Sequence, residues 1–247
     1  DGVRLPWTAE RLAPVQRIED LQLRESRVWL GKLLFHDPLL SSDRETACVT
    51  CHSELWGLGD NLERGVGVLG QGPIGPGRDG PNLTRRNSQT LWNVGLRESL
   101  FWDGRSDTLE AQALEPLKDM AELGRPPEEV AADLDDIPEY LEYFEAAFPG
   151  EELHFTPEHM GLAIAEFQRG YVSDRSPYDL YLAGDSKALD EEMVEGMFLF
   201  AELGCADCHA PPRFESERYA DRHVPAVTAI VDRGRAGHPW HGQVGED

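Results

Sequence analysis

Two pentapeptides constrain this chain more than anything else in it: Cys48-Val49-Thr50-Cys51-His52 and Cys205-Ala206-Asp207-Cys208-His209. Each reads C-x-x-C-H, and together they use all four cysteines, leaving none for a disulfide. Two thiols two residues apart can reach the two vinyl groups of one porphyrin, and an imidazole directly after them falls beneath the iron. Two other chemistries use C-x-x-C. A thioredoxin-type redox pair expects a βαβ setting and does not explain a His after both pairs. A zinc site built from four thiolates leaves both histidines idle. The spacing therefore predicts two covalently attached haems, held by Cys48 and Cys51 and by Cys205 and Cys208. His52 and His209 are their iron ligands. Covalent haem attachment occurs outside the cytoplasm, which predicts an exported, periplasmic protein. Function turns on the sixth position of each iron: an open one binds small molecules, a filled one mainly transfers electrons.

A chain of 247 residues has room for one large domain or two small ones, and with 40% hydrophobic residues it can bury a core. Its charge is lopsided, with 46 acidic against 23 basic residues. Lysine occurs only at Lys32, Lys118 and Lys187. Such a surface repels nucleic-acid phosphates and anionic lipid heads, so neither is an expected partner. It would attract a basic soluble protein, or serve only to keep the chain in solution; both readings stand. No apolar run approaches the ~20 residues of a membrane span. No basic-then-apolar signal segment and no initiator Met stand at Asp1, so a mature form or a fragment is expected.

The periodicity is helical almost throughout. Leu21, Val28, Leu30, Leu33 and Leu34 predict a helix over Ile18 to Phe35, with Pro38 just past its end. Asp107 and Glu110 form a capping-box start for a helix that Pro116 should end or kink. Pro138 opens another, carrying Leu141, Phe144 and Phe148. Thr156-Pro157 caps a helix lined by Met160, Ile164, Phe167 and Tyr171. The last runs from about Ala188, with Leu189, Met193, Met197 and Phe200 inward, to a C′ residue at Gly204. Gly65 to Asn87 has no periodicity and is rich in Gly and Pro, the signature of a long functional loop. Polar Ser173-Asp174-Arg175-Ser176-Pro177 gives a natural boundary between residues 1–175 and 176–247, each with one pentapeptide. The expected fold is all-α, with two cytochrome c-like haem domains joined at an interface.

Several segments together resemble the bacterial di-haem cytochrome c peroxidase family, which includes the MauG-type enzymes. Leu30-Gly31-Lys32-Leu33-Leu34-Phe35 with Asp37-Pro38 resembles the family's entry to the first C-x-x-C-H. Arg86-Asn87-Ser88-Gln89-Thr90-Leu91 with Asn93-Val94 resembles its segment after the loop. Phe101-Trp102-Asp103-Gly104-Arg105, followed by Leu109, Gln112-Ala113 and Pro116-Leu117, is the most specific match, and Tyr181 to Gly184 and Leu199-Phe200 fit as well. The resemblance implies that Trp102 relays electrons between the haems and that Gln112 and Glu122 belong to the peroxide pocket. It also implies that Asn87 is a ligand of a calcium ion. The implied reaction reduces hydrogen peroxide to water with electrons from a small cytochrome c or cupredoxin, and a homodimer is compatible with it. A MauG-type oxidase acting on aromatic residues of a partner protein, and a di-haem carrier without catalysis, are the alternatives.

Departures from the family pattern carry their own expectations. Many members have a loop His that blocks the first iron until the second haem is reduced, but no histidine lies between His52 and His154. The His52 iron should therefore be open without reductive activation. Gln89 stands where the family usually has Pro. The family supplies the second haem's distal ligand, a Met or Tyr, from well beyond the second pentapeptide, and here no Met follows Met197. Tyr219, His223, His238 and His241 are present but stand in no recognisable motif, so a truncated chain is expected.

Overall fold

The computed structural model describes residues 2–7, 17–152, 154–216, 218–220 and 232–237. Of the sequence candidates, His223, His238 and His241 lie outside the described residues. Among the described residues the chain is helical, and strand pairing is confined to isolated bridges. It forms two compact units: Leu23–Tyr171 with Pro225–Asp247, and Asp1–Gln22 with Val172–Val224.

In the larger unit, α1 (Glu25–His36) buries Leu30, Gly31, Leu34 and Phe35 along one stripe. It crosses α6 (Pro157–Arg169), and the crossing dictates Gly31: a Cβ there would stand 1.9 Å from the Ala163 carbonyl oxygen. The expected helix began at Ile18, but Ile18–Asp20 is a separate single 3-10 turn. Asp20 closes that turn by accepting from the Arg17 N–H at 3.1 Å, and the Ile18 N–H donates to Asp174 at 3.1 Å. α6 starts as expected, with Thr156 Oγ1 accepting from the His159 N–H and Pro157 at the first position.

After α2 (Cys48–Cys51) and the long loop comes α3 (Leu109–Lys118). Its cap is Thr108, whose Oγ1 accepts from the Ala111 N–H at 3.2 Å, rather than Asp107. Thr108 holds the extended backbone a cap requires. Pro116 sits in the last turn, and the helix ends two residues later. The Leu123 and Arg125 N–H groups then return to the Pro116 and Leu117 carbonyls, folding residues 119–125 into a turn that carries Glu122.

Two further helices complete this unit. α4 (Pro127–Asp135) buries Val130, Ala131 and Leu134. α5 (Pro138–Ala147) contributes Phe144, which packs with Phe148, Phe155 and the His159 ring. One continuous apolar core joins these elements.

The smaller unit holds α7 (Pro177–Leu182) and α8 (Glu191–Glu202), capped by Ser176 and Asp190. Trp7, Tyr181, Val194 and Met197 form its core, with Tyr178 and Phe214 against them. The expected register of α8 is corrected: Met193 is 55% exposed, and Val194 points inward in its place. The physical reason is the cap, since Asp190 accepts from the Met193 N–H and fixes the helix to start at Glu191. Gly204 follows at φ +80°, as a C′ glycine does.

Candidate active site

The first pentapeptide is presented by the shortest helix. Cys48 and Cys51 open and close the single turn of α2, and His52 follows at its C-cap. The His52 Nδ1 lies 3.0 Å from the Leu58 carbonyl oxygen. A carbonyl can only accept, so Nδ1 carries a proton toward Leu58, as an imidazole that ligates iron through Nε2 requires, and the Gln89 carbonyl also lies near the ring. Burial pushes the His52 pKa down, which keeps the ring neutral. In the smaller unit the same device recurs: Cys205–Asp207 forms a 3-10 turn, and His209 Nδ1 lies 3.1 Å from the Phe214 carbonyl oxygen.

The first pair of thiols weighs against a redox pair. Burial pushes both Cys48 and Cys51 up to about 12, so they stand as neutral thiols. A redox pair works through a thiolate, which positive surroundings favour and apolar burial opposes. Among the described residues, no cluster of three or more His, Cys, Asp or Glu could hold a metal ion.

A cavity of about 370 Å³ opens beside this pentapeptide, within the larger unit. Cys51, His52, Trp102, Gln112 and Glu122 all line it, so the structure brings these candidates together. Asn87 lines it too, while Cys48 does not. Gln112 projects from α3, and its Oε1 is buried with no hydrogen-bond partner. Such an atom inside a cavity calls for a donor from whatever binds there. Burial pushes Glu122 up to about 7, with Asp119 adding to the rise, Arg105 opposing it and Glu115 adding again. Trp102 is 45% exposed and fixed by its indole N–H, which donates to the Asn87 carbonyl at 3.0 Å.

Trp102 and Arg105 come from one tight excursion. Leu100 and Ser106 pair across it, and Phe101 holds the left-handed conformation at φ +67°. A bulky residue there is strained, and such strain collects at functional sites. The Arg105 guanidinium lies 3.4 Å from the Phe101 ring centroid and 3.0 Å from Asp103. Asp103 also binds Arg86 at 2.9 Å. Burial raises the Asp103 pKa, but hydrogen bonds and charge from Arg86 and Arg105 outweigh it and the net direction is down.

The long loop supplies the support behind Glu122. Its limbs pair at Val66 with Leu83 and at Gln71 with Asp79. Gly67 packs directly on the Glu122 turn, where a Cβ would stand 2.0 Å from the Ala121 carbonyl oxygen. Next to it, the Val68 N–H donates to the Glu122 carbonyl at 2.9 Å. The loop is anchored by Asp43, which accepts from the Leu69 N–H at 2.7 Å and from the N–H groups of Glu45 and Thr46. The Ser41 and Thr46 hydroxyls donate to it as well. Burial raises the Asp43 pKa, yet these five donors hold it far below the usual carboxylate range.

Sequence reasoning gave no role to Arg85, Arg97 and Arg105, which line the cavity beside Arg86. A signal existed. Arg78, Arg85, Arg86, Arg97 and Arg105 face only Asp79, Glu98 and Asp103 across that stretch of an otherwise acidic chain. The donor set fits a haem at this position: two thiols, an imidazole whose Nδ1 faces a carbonyl, an orphaned amide oxygen, and guanidinium groups suited to propionates.

An all-α fold with a C-x-x-C-H turn defines the class of the c-type cytochromes, here with a polar cavity beside the turn. Residues 25–187 match the family described as di-haem cytochrome c peroxidase. The chain is 37% identical over 195 residues to the cytochrome c551 peroxidase of Pseudomonas aeruginosa, covering 79% of this chain and 53% of that protein. It is 36% identical over 218 residues to the methylamine utilization protein MauG of Methylorubrum extorquens, covering 88% and 58%. Among solved structures, a MauG-like protein associated with microbial copper homeostasis superposes with a TM-score of 0.68 at 26% identity, covering 89% of this chain and 63% of that one. The chain belongs to the di-haem cytochrome c peroxidase family, and it spans a little over half the length of those two relatives.

Proposed function

We propose that this chain carries the peroxidatic centre of a di-haem peroxidase, reducing hydrogen peroxide to water with electrons from a small cytochrome c or cupredoxin. One observation carries the reading: Gln112, with a buried unpartnered Oε1, and Glu122, with a pKa near 7, line one cavity with Cys51 and His52. Haem c held by Cys48 and Cys51, with His52 as its iron ligand, would supply a redox metal, and a second haem held by Cys205, Cys208 and His209 would be a source of a further electron. Breaking the peroxide bond requires a proton to move from the inner to the outer oxygen. A carboxyl that titrates near neutral pH can both take and return it. The Gln112 amide orients peroxide by hydrogen bonding. Trp102 is the proposed electron relay, and its bond to the Asn87 carbonyl holds the indole in place. Asn87 is the proposed calcium ligand, and covalent haem attachment supports a periplasmic location.

The test is Glu122→Gln, which keeps shape and loses the base. General acid–base catalysis contributes about 10²–10⁴-fold, so peroxide cleavage followed by stopped flow should slow by that order. Haem content and cyanide binding by the oxidised protein should stay unchanged. An undiminished rate would remove Glu122 from the mechanism. A MauG-type oxidase is the second reading, favoured by the 36% identity to MauG. Turnover with reduced cytochrome c, as against oxidation of aromatic residues on a partner protein, separates the two.

A further inference from the structure

A series of aromatic rings starts at His52 and holds none of the other residues that line the cavity. The Phe35 centroid lies 6.5 Å from that of His52 and 6.4 Å from that of Tyr171, and Tyr171 lies 6.1 Å from Trp92. None of Phe35, Tyr171 and Trp92 lines the cavity. Phe35 is fully buried, Tyr171 half-buried and Trp92 42% exposed, so the series runs from the iron ligand to the surface. The backbone fixes its outer end: the Asn93 N–H donates to the Tyr171 carbonyl at 2.7 Å, and the Trp92 N–H donates to Thr90 Oγ1 at 3.2 Å. Phe167 packs against both Phe35 and Tyr171, with centroids 5.3 and 5.1 Å away. Tyrosine and tryptophan are the side chains that yield a single electron most readily, and here both occupy the outer positions of the series.

We propose that Tyr171 and Trp92 carry single electrons from the surface to the His52 haem, which makes Trp92 an oxidation site for small phenolic reductants. The inference rests on the peroxidase reading, because peroxide is the oxidant. Peroxide takes two electrons and two protons to become two waters, leaving the centre two electrons short. For each electron restored, Tyr171 gives one to the centre and releases its phenolic proton to water. The tyrosyl recovers an electron from Trp92 and a proton from water, while the Trp92 indole loses its Nε1 proton. A phenol at the surface then returns one electron and one proton to the indole and leaves as a phenoxyl radical. Two such rounds restore the resting state. The net change is one peroxide and two phenols to two waters and two phenoxyl radicals. This route does not use Trp102.

The experiment treats the full-length holoprotein with peroxide, withholds every donor, and maps oxygen adducts by peptide mass spectrometry. Trp29 is the internal control, since it is 52% exposed and its ring faces the Lys32 ammonium outside this series. Adducts on Trp92 should exceed those on Trp29 severalfold, and added 4-methoxyphenol should suppress them. Tyr171→Phe should cut the Trp92 adducts severalfold with Trp29 and haem content unchanged, which separates a broken relay from a misfolded protein. Equal oxidation of Trp92 and Trp29, or Trp92 adducts indifferent to Tyr171→Phe, would overturn the proposal. Peroxide consumed with Trp92 untouched sinks this inference alone. Peroxide left unconsumed overturns the peroxidase reading, and the inference with it.

Discussion

At the scale of the residue, Glu122 has a consequence for stability that is separate from catalysis. Folding raises its pKa from 4.5 to about 7, so the folded chain binds this proton more tightly than the unfolded one. Its contribution to stability is complete below about pH 4.5 and is lost as pH rises through about 7. Glu122→Gln stays neutral throughout. It should therefore melt with the parent near about pH 4 and above it near about pH 8, where removing the buried charge is worth roughly 1–3 kcal/mol. Thermal melts at the two pH values check the sign. A variant that loses stability at the higher pH would mean the carboxylate is paired in the folded state. The same titration predicts that wild-type peroxide cleavage falls as pH drops below about 7, because the base is then protonated, whereas the Glu122→Gln rate should be flat there.

At the scale of the element, the site depends on how the long loop meets the turn after α3. Gly67→Ala puts a Cβ into the Ala121 and Glu122 carbonyls, at 2.0 and 2.5 Å, and backbone on both sides must give. Overpacking of this kind costs about 1–3 kcal/mol. The displaced turn carries Glu122, so Tm and the peroxide rate should fall together. A lowered Tm with an unchanged rate would show that the turn holds its place without the loop. Helices with a strong local start signal were legible in the sequence: Thr156-Pro157 and Pro138 open α6 and α5 as expected. Three features were not. α4 opens at Pro127 but has only Val130, Ala131 and Leu134 for an apolar stripe, too few to stand out in so acidic a stretch. The break between Ile18 and α1 is enforced by Asp174, a partner 156 positions away. The loop could be recognised from its glycines, but its anchorage by Asp43 arises from tertiary contact and leaves no local pattern. The site divides the same way. Cys51 and His52 announce themselves, Gln112 and Glu122 were placed only through resemblance, and the charge of Arg105 beside Glu122 was not foreseen.

At the scale of the whole molecule, charge governs encounter. With 46 acidic and 23 basic residues, the chain should draw a basic donor cytochrome from solution and repel an acidic one. The second-order rate of oxidation of a basic cytochrome c should fall steeply as salt shortens the Debye length to about 8 Å at 0.15 M. A rate indifferent to salt would mean that the donor docks on an apolar surface. The Asp43 anchorage has a different reach. One carboxylate joins the segment just ahead of Cys48 to Leu69 in the loop, so the two segments share an anchor. Local openings of a native protein proceed in cooperative blocks, which amide hydrogen exchange resolves. The Thr46 and Leu69 amides should then exchange as a single block, through one shared opening. In Asp43→Asn they should part, with Leu69 exchanging faster. A cavity lined in part by a loop anchored this way has a fixed wall on that side and not a lid.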